Sequence, residues 1–292
     1  MNTRTRTADD LADFERRTIT PDGSKTGVNA LSSLSKTGVN ALLGAGKVVY
    51  VAGQGPAVIV MAEMPGISPE VARFARWVRD AGFTVYMPSL FGHDGAVPTV
   101  EAGIPVFRQA CISAEFRALG GGRSSPVTRW LMALARTAHA ECGGRGVGAV
   151  GMCFTGNFAL TMMLEPAVLA PVLCQPSLPL DNPAGLEIDD DDLKEVRRRL
   201  DRDDLTVRAY RFAGDSFCRA ERFAAYAAAL GDRFEPRVLP DAAANHDVAP
   251  FFAERVRCPH SVVTQHLMDA AGQPTIAARD EILAFFALRL RG

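Results

Sequence analysis

The sequence predicts an α/β fold with a mostly parallel central sheet and helices on both faces. From residue 48 onward, short β-branched apolar runs alternate with helical stretches. That alternation implies crossover connections and a sheet covered on both sides. The runs are apolar at successive positions, as strands buried on two faces must be. A run at 147–150 leads straight into Gly151-Met152-Cys153-Phe154-Thr155 and a helical stretch, so a nucleophilic side chain falls between a strand and a helix. With 292 residues, 48% of them hydrophobic, the chain can bury the core such a sheet needs.

The elements follow in order. Residues 1–45 are polar and glycine-bearing, and the octet from Ser24 to Leu31 recurs from Ser35 to Leu42, 11 positions on. Two copies are too few for a solenoid. The stretch is read as a leader, with a small extension packing beside the sheet as the alternative, and 46–292 as a single domain. Apolar runs at 48–51 and 57–61 are strands. Ser68-Pro69 opens a helix, serine as cap and proline in the first turn, with Val71, Phe74, Ala75 and Val78 on one face. A strand at 84–87 ends at Pro88, and a helix over 128–142 closes at Gly143-Gly144. The stretch 156–164 reads as the helix after the turn, followed by strands at 171–174, 207–212 and 235–239. Between them, Asp189 to Asp192 open a helix that closes with Arg197 to Arg199, charges that suit the helix dipole at each end. A terminal helix starts near Pro274-Thr275 and buries Leu283, Phe286 and Leu290.

Bulk properties narrow the function. The net charge is −1 with both signs interspersed, which gives no footprint for nucleic acid or an anionic membrane. No apolar run approaches the roughly 20 residues that span a bilayer. Met1 to Arg6 carry no apolar signal core, so the cytoplasm is the default address. Six cysteines lack CxxC spacing and read as free thiols. Cys258-Pro259-His260 has no second ligand pair with zinc-type spacing. No metal or cofactor is expected, and the partner is a small molecule.

The chemistry centres on Cys153. A tight strand-to-helix turn demands small residues two places either side of its tip, and Gly151 and Thr155 meet that demand. This is the pattern of a nucleophile elbow, with cysteine in the position where serine usually sits. A thiol there sits at the positive end of a helix, which favours thiolate. A buried cysteine that begins a core helix would satisfy the same five residues. A nucleophilic thiol needs a base, and the base an orienting carboxylate, in the chain order nucleophile, acid, histidine. Arg211-Phe212-Ala213-Gly214-Asp215 ends a strand in an acid. Asp215 fits, and a helix cap at Asp215 is compatible with that role. His139 lies inside a helix, and His93 occupies a loop at a strand's carboxyl end where it would line the pocket. His246, His260 and His266 all follow the last strand. Position places His260 first, with His246 as a reserve base.

These residues resemble the dienelactone hydrolase family across about residues 45–290. The resemblance rests on Gly151-Met152-Cys153-Phe154-Thr155-Gly156, on Glu63-Met64-Pro65-Gly66 after the second strand, on Phe212 to Asp215, and on Pro259-His260-Ser261-Val262. It implies an ester or lactone hydrolase working through a cysteinyl acyl-enzyme, with Cys153, His260 and Asp215 as triad. It further implies that Glu63 lies against the thiol and controls its ionisation, and that the backbone N–H groups of Phe154 and Met64 form the oxyanion hole. Thr155 departs from a glycine common in the family, and Pro65 from a bulkier apolar residue. The family's carboxylate-binding arginines have no motif here; Arg108, Arg117 and Arg123 are candidates by position, and Arg117 is taken with His93 as substrate-binding. A thioesterase or acyltransferase on the same fold, or a non-catalytic ligand-binding member, are the alternatives. The sequence does not fix the oligomeric state.

Overall fold

The computed structural model describes residues 6–20 and 46–291. Among these, eight strands form one sheet in the order β1-β2-β4-β3-β5-β6-β7-β8. They are β1 (Glu15–Ile19), β2 (Lys47–Gly53), β3 (Ala57–Met61), β4 (Thr84–Pro88), β5 (Val147–Met152), β6 (Val168–Cys174), β7 (Val207–Phe212) and β8 (Phe234–Leu239). The β1–β2 and β2–β4 pairings are antiparallel, and all pairings from β4 to β8 are parallel. The expected mostly parallel sheet is therefore present. Strand β3 and strand β5 are buried at every residue, which explains their unbroken apolar runs.

Helices cover both faces. They are α1 (Pro69–Asp80), α2 (Val100–Ile112), α3 (Val127–Cys142), α4 (Phe158–Thr161), α5 (Asp190–Arg202), α6 (Ala220–Leu230) and α7 (Pro274–Leu290). Helix α1 starts as its sequence demands: the Ser68 hydroxyl accepts the Val71 N–H at 3.3 Å. Its buried stripe of Val71, Phe74, Ala75 and Val78 joins Val58, Val60 and Val85 in the core on one face. Helices α3 and α5 cover the other face through Trp130, Leu131, Leu134, Val196 and Leu200.

Three features differ from the sequence reading. Residues 6–20 follow the alternative of an extension beside the sheet rather than a leader that stands apart. Strand β1 forms the sheet edge on β2, Leu11 and Phe14 are buried against the α1 face, and Arg76 pairs with Asp9 at 2.6 Å and Asp13 at 2.7 Å. Two apolar side chains outweigh the surrounding polarity, since each contributes about 1.5–3 kcal/mol on burial. The duplicated octets lie outside the described residues. Second, the helix expected over 156–164 is split into a 3-10 turn at Cys153–Thr155, the single turn of α4, and a 3-10 turn at Met162–Leu164. The buried Arg199 guanidinium donates to the Met163 carbonyl inside the last turn and to those of Glu165 at 2.6 Å and Val168 at 2.9 Å just beyond it, which supplies partners where the helix stops. Third, α2 was not read as a helix, because Pro105 and Gly103 interrupt it and it buries only Gly103 and Ala110.

Candidate active site

Strand β5 delivers Cys153 to the carboxyl edge of the sheet in a strained turn. Its φ is +54°, a left-handed conformation that costs a non-glycine residue of order 1–3 kcal/mol and persists only where the surroundings enforce it. The enforcement is visible. A Cβ on Gly151 would lie 2.1 Å from the Thr155 carbonyl oxygen, and one on Gly156 would lie 2.5 Å from the Cα of Pro176. Thr155 does more than fit. Its hydroxyl accepts the Met152 N–H at 2.9 Å and donates toward the Met61 and Ala62 carbonyls at 3.1 and 3.2 Å. The residue that departs from the family's glycine thus ties the elbow to the end of β3, just ahead of Glu63 and Met64.

The histidine expected as base stands at the same edge. His260 is buried, and its Nδ1 lies 2.7 Å from Asp215 Oδ2. The second Asp215 oxygen accepts the N–H groups of Phe217 at 2.8 Å and Cys218 at 3.0 Å, so the carboxylate is oriented by the backbone that leads into α6. Burial alone would depress the His260 pKa. The charges of Asp215 and Cys153, with their hydrogen bonds, carry it well above the ordinary imidazole value. That direction suits a thiolate–imidazolium pair. Cys153, half-buried, and His260 both line a cleft of about 350 Å³. Cys174 and Cys218 are sealed in the core, and burial pushes both thiols up.

Glu63 is fully buried beside this pair, yet its partners differ from those expected. One carboxylate oxygen accepts the Ser261 hydroxyl at 2.5 Å and the other accepts the Thr264 hydroxyl. No hydrogen bond joins it to Cys153 among the described residues, because the loop after His260 supplies two nearer donors. Burial raises its pKa from 4.5 to about 7, against the pull of the two hydroxyls and of His260. The Phe154 and Met64 side chains line the cleft. Their backbone N–H groups donate to no backbone acceptor among the described residues, which leaves them available to an oxyanion.

Two expected contacts fall elsewhere. His93 is exposed and borders a separate small depression with Pro65, Gly66 and Pro98. Arg117, also exposed, borders a different cavity beside Arg123 and Asp189. Both loops reach the elbow, since Phe91 and Phe116 pack on Phe154 with ring centroids 5.9 and 5.3 Å away, yet neither His93 nor Arg117 lines the cleft. His246 is exposed and is likewise absent from its lining. Arg108 does line it, together with Arg255, Phe107, Phe217, Phe251 and Phe252. Neither arginine pairs with a carboxylate among the described residues. Residues 251–256 escaped the sequence reading because they form no standard element; Phe252–Val256 is a π-turn. Their aromatic pair was the available signal. Among the described residues no three His, Cys, Asp or Glu side chains gather as metal ligands, and no helix is long and apolar enough to cross a membrane.

An eight-stranded mostly parallel sheet with a strained nucleophile elbow at its carboxyl edge defines the α/β-hydrolase fold, and solved structures agree. A dienelactone hydrolase-like promiscuous phosphotriesterase from metagenomic libraries superposes with a TM-score of 0.57 at 17% identity, covering 84% of this chain and 93% of that one. A candidate dienelactone hydrolase from Klebsiella pneumoniae subsp. pneumoniae gives 0.53 at 16% identity, covering 84% and 94%. A cold-adapted esterase from an Arctic intertidal metagenomic library gives 0.50 at 14%, covering 85% and 90%. At these identities the likeness is one of fold. The dienelactone hydrolase family model matches residues 40–184, which bears out the resemblance over the stretch that holds the Glu63 and Cys153 motifs, on an α/β-hydrolase fold. A search of curated proteins finds no match.

Proposed function

We propose that this chain hydrolyses a small carboxylic ester or lactone through a cysteinyl acyl-enzyme. The observation that carries the reading is the strained Cys153 sharing a cleft with an imidazole that is itself bonded to Asp215. In the first half-reaction the Cys153 sulfur attacks the substrate carbonyl carbon. The resulting oxyanion takes hydrogen bonds from the N–H groups of Phe154 and Met64. His260, which receives the thiol proton, returns it to the departing alkoxide, and a thioester to Cys153 remains. In the second half-reaction water, deprotonated by His260, attacks that thioester; the C–S bond breaks, the acid leaves, and the proton on His260 returns to the Cys153 sulfur. Asp215 holds the ring in the Nδ1–H tautomer and stabilises the imidazolium. Glu63, with its pKa near neutrality, governs the ionisation of the pair through the loop that carries His260.

The lining supports a substrate with an apolar body, set against Phe107, Phe217 and Phe252, and an anionic group within reach of Arg108 or Arg255. The test is the turnover of p-nitrophenyl esters by wild-type protein and by Cys153→Ala. The expected result is hydrolysis that the substitution abolishes while the circular dichroism spectrum stays unchanged. Equal rates for the two proteins would remove the mechanism.

A further inference from the structure

Resting on that reading of the site, we infer that His266 is a positioning residue: its Nδ1 gathers the backbone N–H groups of His260 and Ser261 and so fixes the base against the nucleophile. The Ser261 N–H donates to His266 Nδ1 at 3.1 Å and the His260 N–H at 3.4 Å. Two donors converging on one ring nitrogen require that nitrogen to be bare, so the proton resides on Nε2. The ring is itself held. His266 is buried, its N–H donates to the Ser261 carbonyl at 3.0 Å, and its carbonyl accepts the Asn245 N–H at 2.9 Å. The edges of Phe212 from β7 and Phe252 from the cleft wall pack on it with centroids 6.3 Å away.

The chemistry explains why a histidine serves here. Both amides are buried, and without an acceptor each would be left unsatisfied. An imidazolium at this point would present a donor to two donors and place a second cation beside His260. Burial first, and then the charge of His260, hold the His266 pKa down to about 3. The neighbouring groups that bear on it are His260 and His246, which oppose a positive charge, and Asp215, which favours one. The two histidines are therefore driven apart: one carries the proton, and the other stays neutral to hold the first in place.

The test combines nitrogen-15 NMR of the wild-type protein with two variants, His266→Leu and His266→Asn. The spectrum is expected to show His266 as the neutral Nε2–H form from pH 8 to about pH 5. His266→Leu is expected to lower kcat on p-nitrophenyl acetate by about 100-fold with KM within about twofold, since small misplacements cost that much. His266→Asn, whose side-chain oxygen falls near Nδ1, is expected to recover to within about tenfold of wild type. Unchanged kcat in the leucine variant, equal loss in both variants, or a protonated Nδ1 would each overturn the inference. If the leucine variant does not fold, the spectrum and the asparagine variant decide. Cys153→Ala serves as control: hydrolysis surviving in it defeats the reading of the site, while the spectrum still judges His266 separately.

Discussion

On one side of the cleft, residues 260–264 are pinned by hydrogen bonds to Glu63, Gln175, Asp215 and His266. On the other, Ile104, Phe107, Phe251 and Phe252 present apolar side chains, and Phe251 and Phe252 belong to a small cluster separate from the main cores. Directional bonds fix atoms to fractions of an ångström, whereas apolar contacts tolerate adjustment. The polar wall is suited to chemistry and the apolar wall to substrate fit. Changes to the first should act on kcat and changes to the second on KM.

The substitutions that separate the two walls follow in order of effect. Cys153→Ala should lower kcat by about 10⁴-fold or more, leaving only what binding and the oxyanion donors supply. Asp215→Asn should lower it by on the order of 10²–10⁴, because the ring loses its tautomer and its stabilising charge; steady-state kinetics check both. On the apolar wall, Phe107→Ala should raise KM for an aryl ester about tenfold with kcat nearly unchanged, in line with about 1.5–3 kcal/mol for a buried aromatic side chain. Arg108→Met and Arg255→Met should each lower the preference for acid-bearing lactones over neutral esters by a few-fold to about tenfold, measured as a ratio of kcat/KM. A kcat collapse in Phe107→Ala would erase the distinction between the walls.

Glu63 gives a smaller, pH-resolved test. Burial raises its folded pKa from 4.5 to about 7. Between those values the folded state binds a proton that the unfolded state has released. Stability from this group is therefore full below about pH 4.5 and declines as pH rises through 7. At about 1.36 kcal/mol per pH unit the decline is about 3 kcal/mol. Urea unfolding at pH 5 and pH 8 should show it in wild type, and Glu63→Gln should flatten it. A wild-type protein that gains stability over that interval while Glu63→Gln gains none would contradict the assignment.

Much of the architecture was legible because the physics was local. Unbroken apolar runs fixed β3 and β5, and Ser68-Pro69 fixed the start of α1. The turn at Cys153 was legible from Gly151 and Thr155, and the strand end at Phe212 to Asp215 pointed to the carboxylate that bonds His260. What escaped depended on distant contacts. Leu11 and Phe14 sit in a polar stretch, so only their packing on α1 shows that residues 6–20 join the domain. The split after the elbow depends on Arg199, from a helix more than 30 residues later. Arg117 and His93 were placed by proximity in sequence, which does not tell which side chain of a loop faces the cleft: Phe116 and Phe91 meet the elbow instead. Ser261, Thr264 and His266 were written beside the base, yet their roles appear only once Glu63 arrives from β3.

The central claim is a covalent one, and mass spectrometry of the intact protein tests it most directly. Wild-type protein mixed with p-nitrophenyl acetate and quenched in acid within the first turnover should carry one added acetyl group. Peptide mapping should place it on Cys153, and Asp215→Asn should accumulate less of it. Ester cleavage with no adduct at Cys153, or with the adduct on another side chain, would contradict the account.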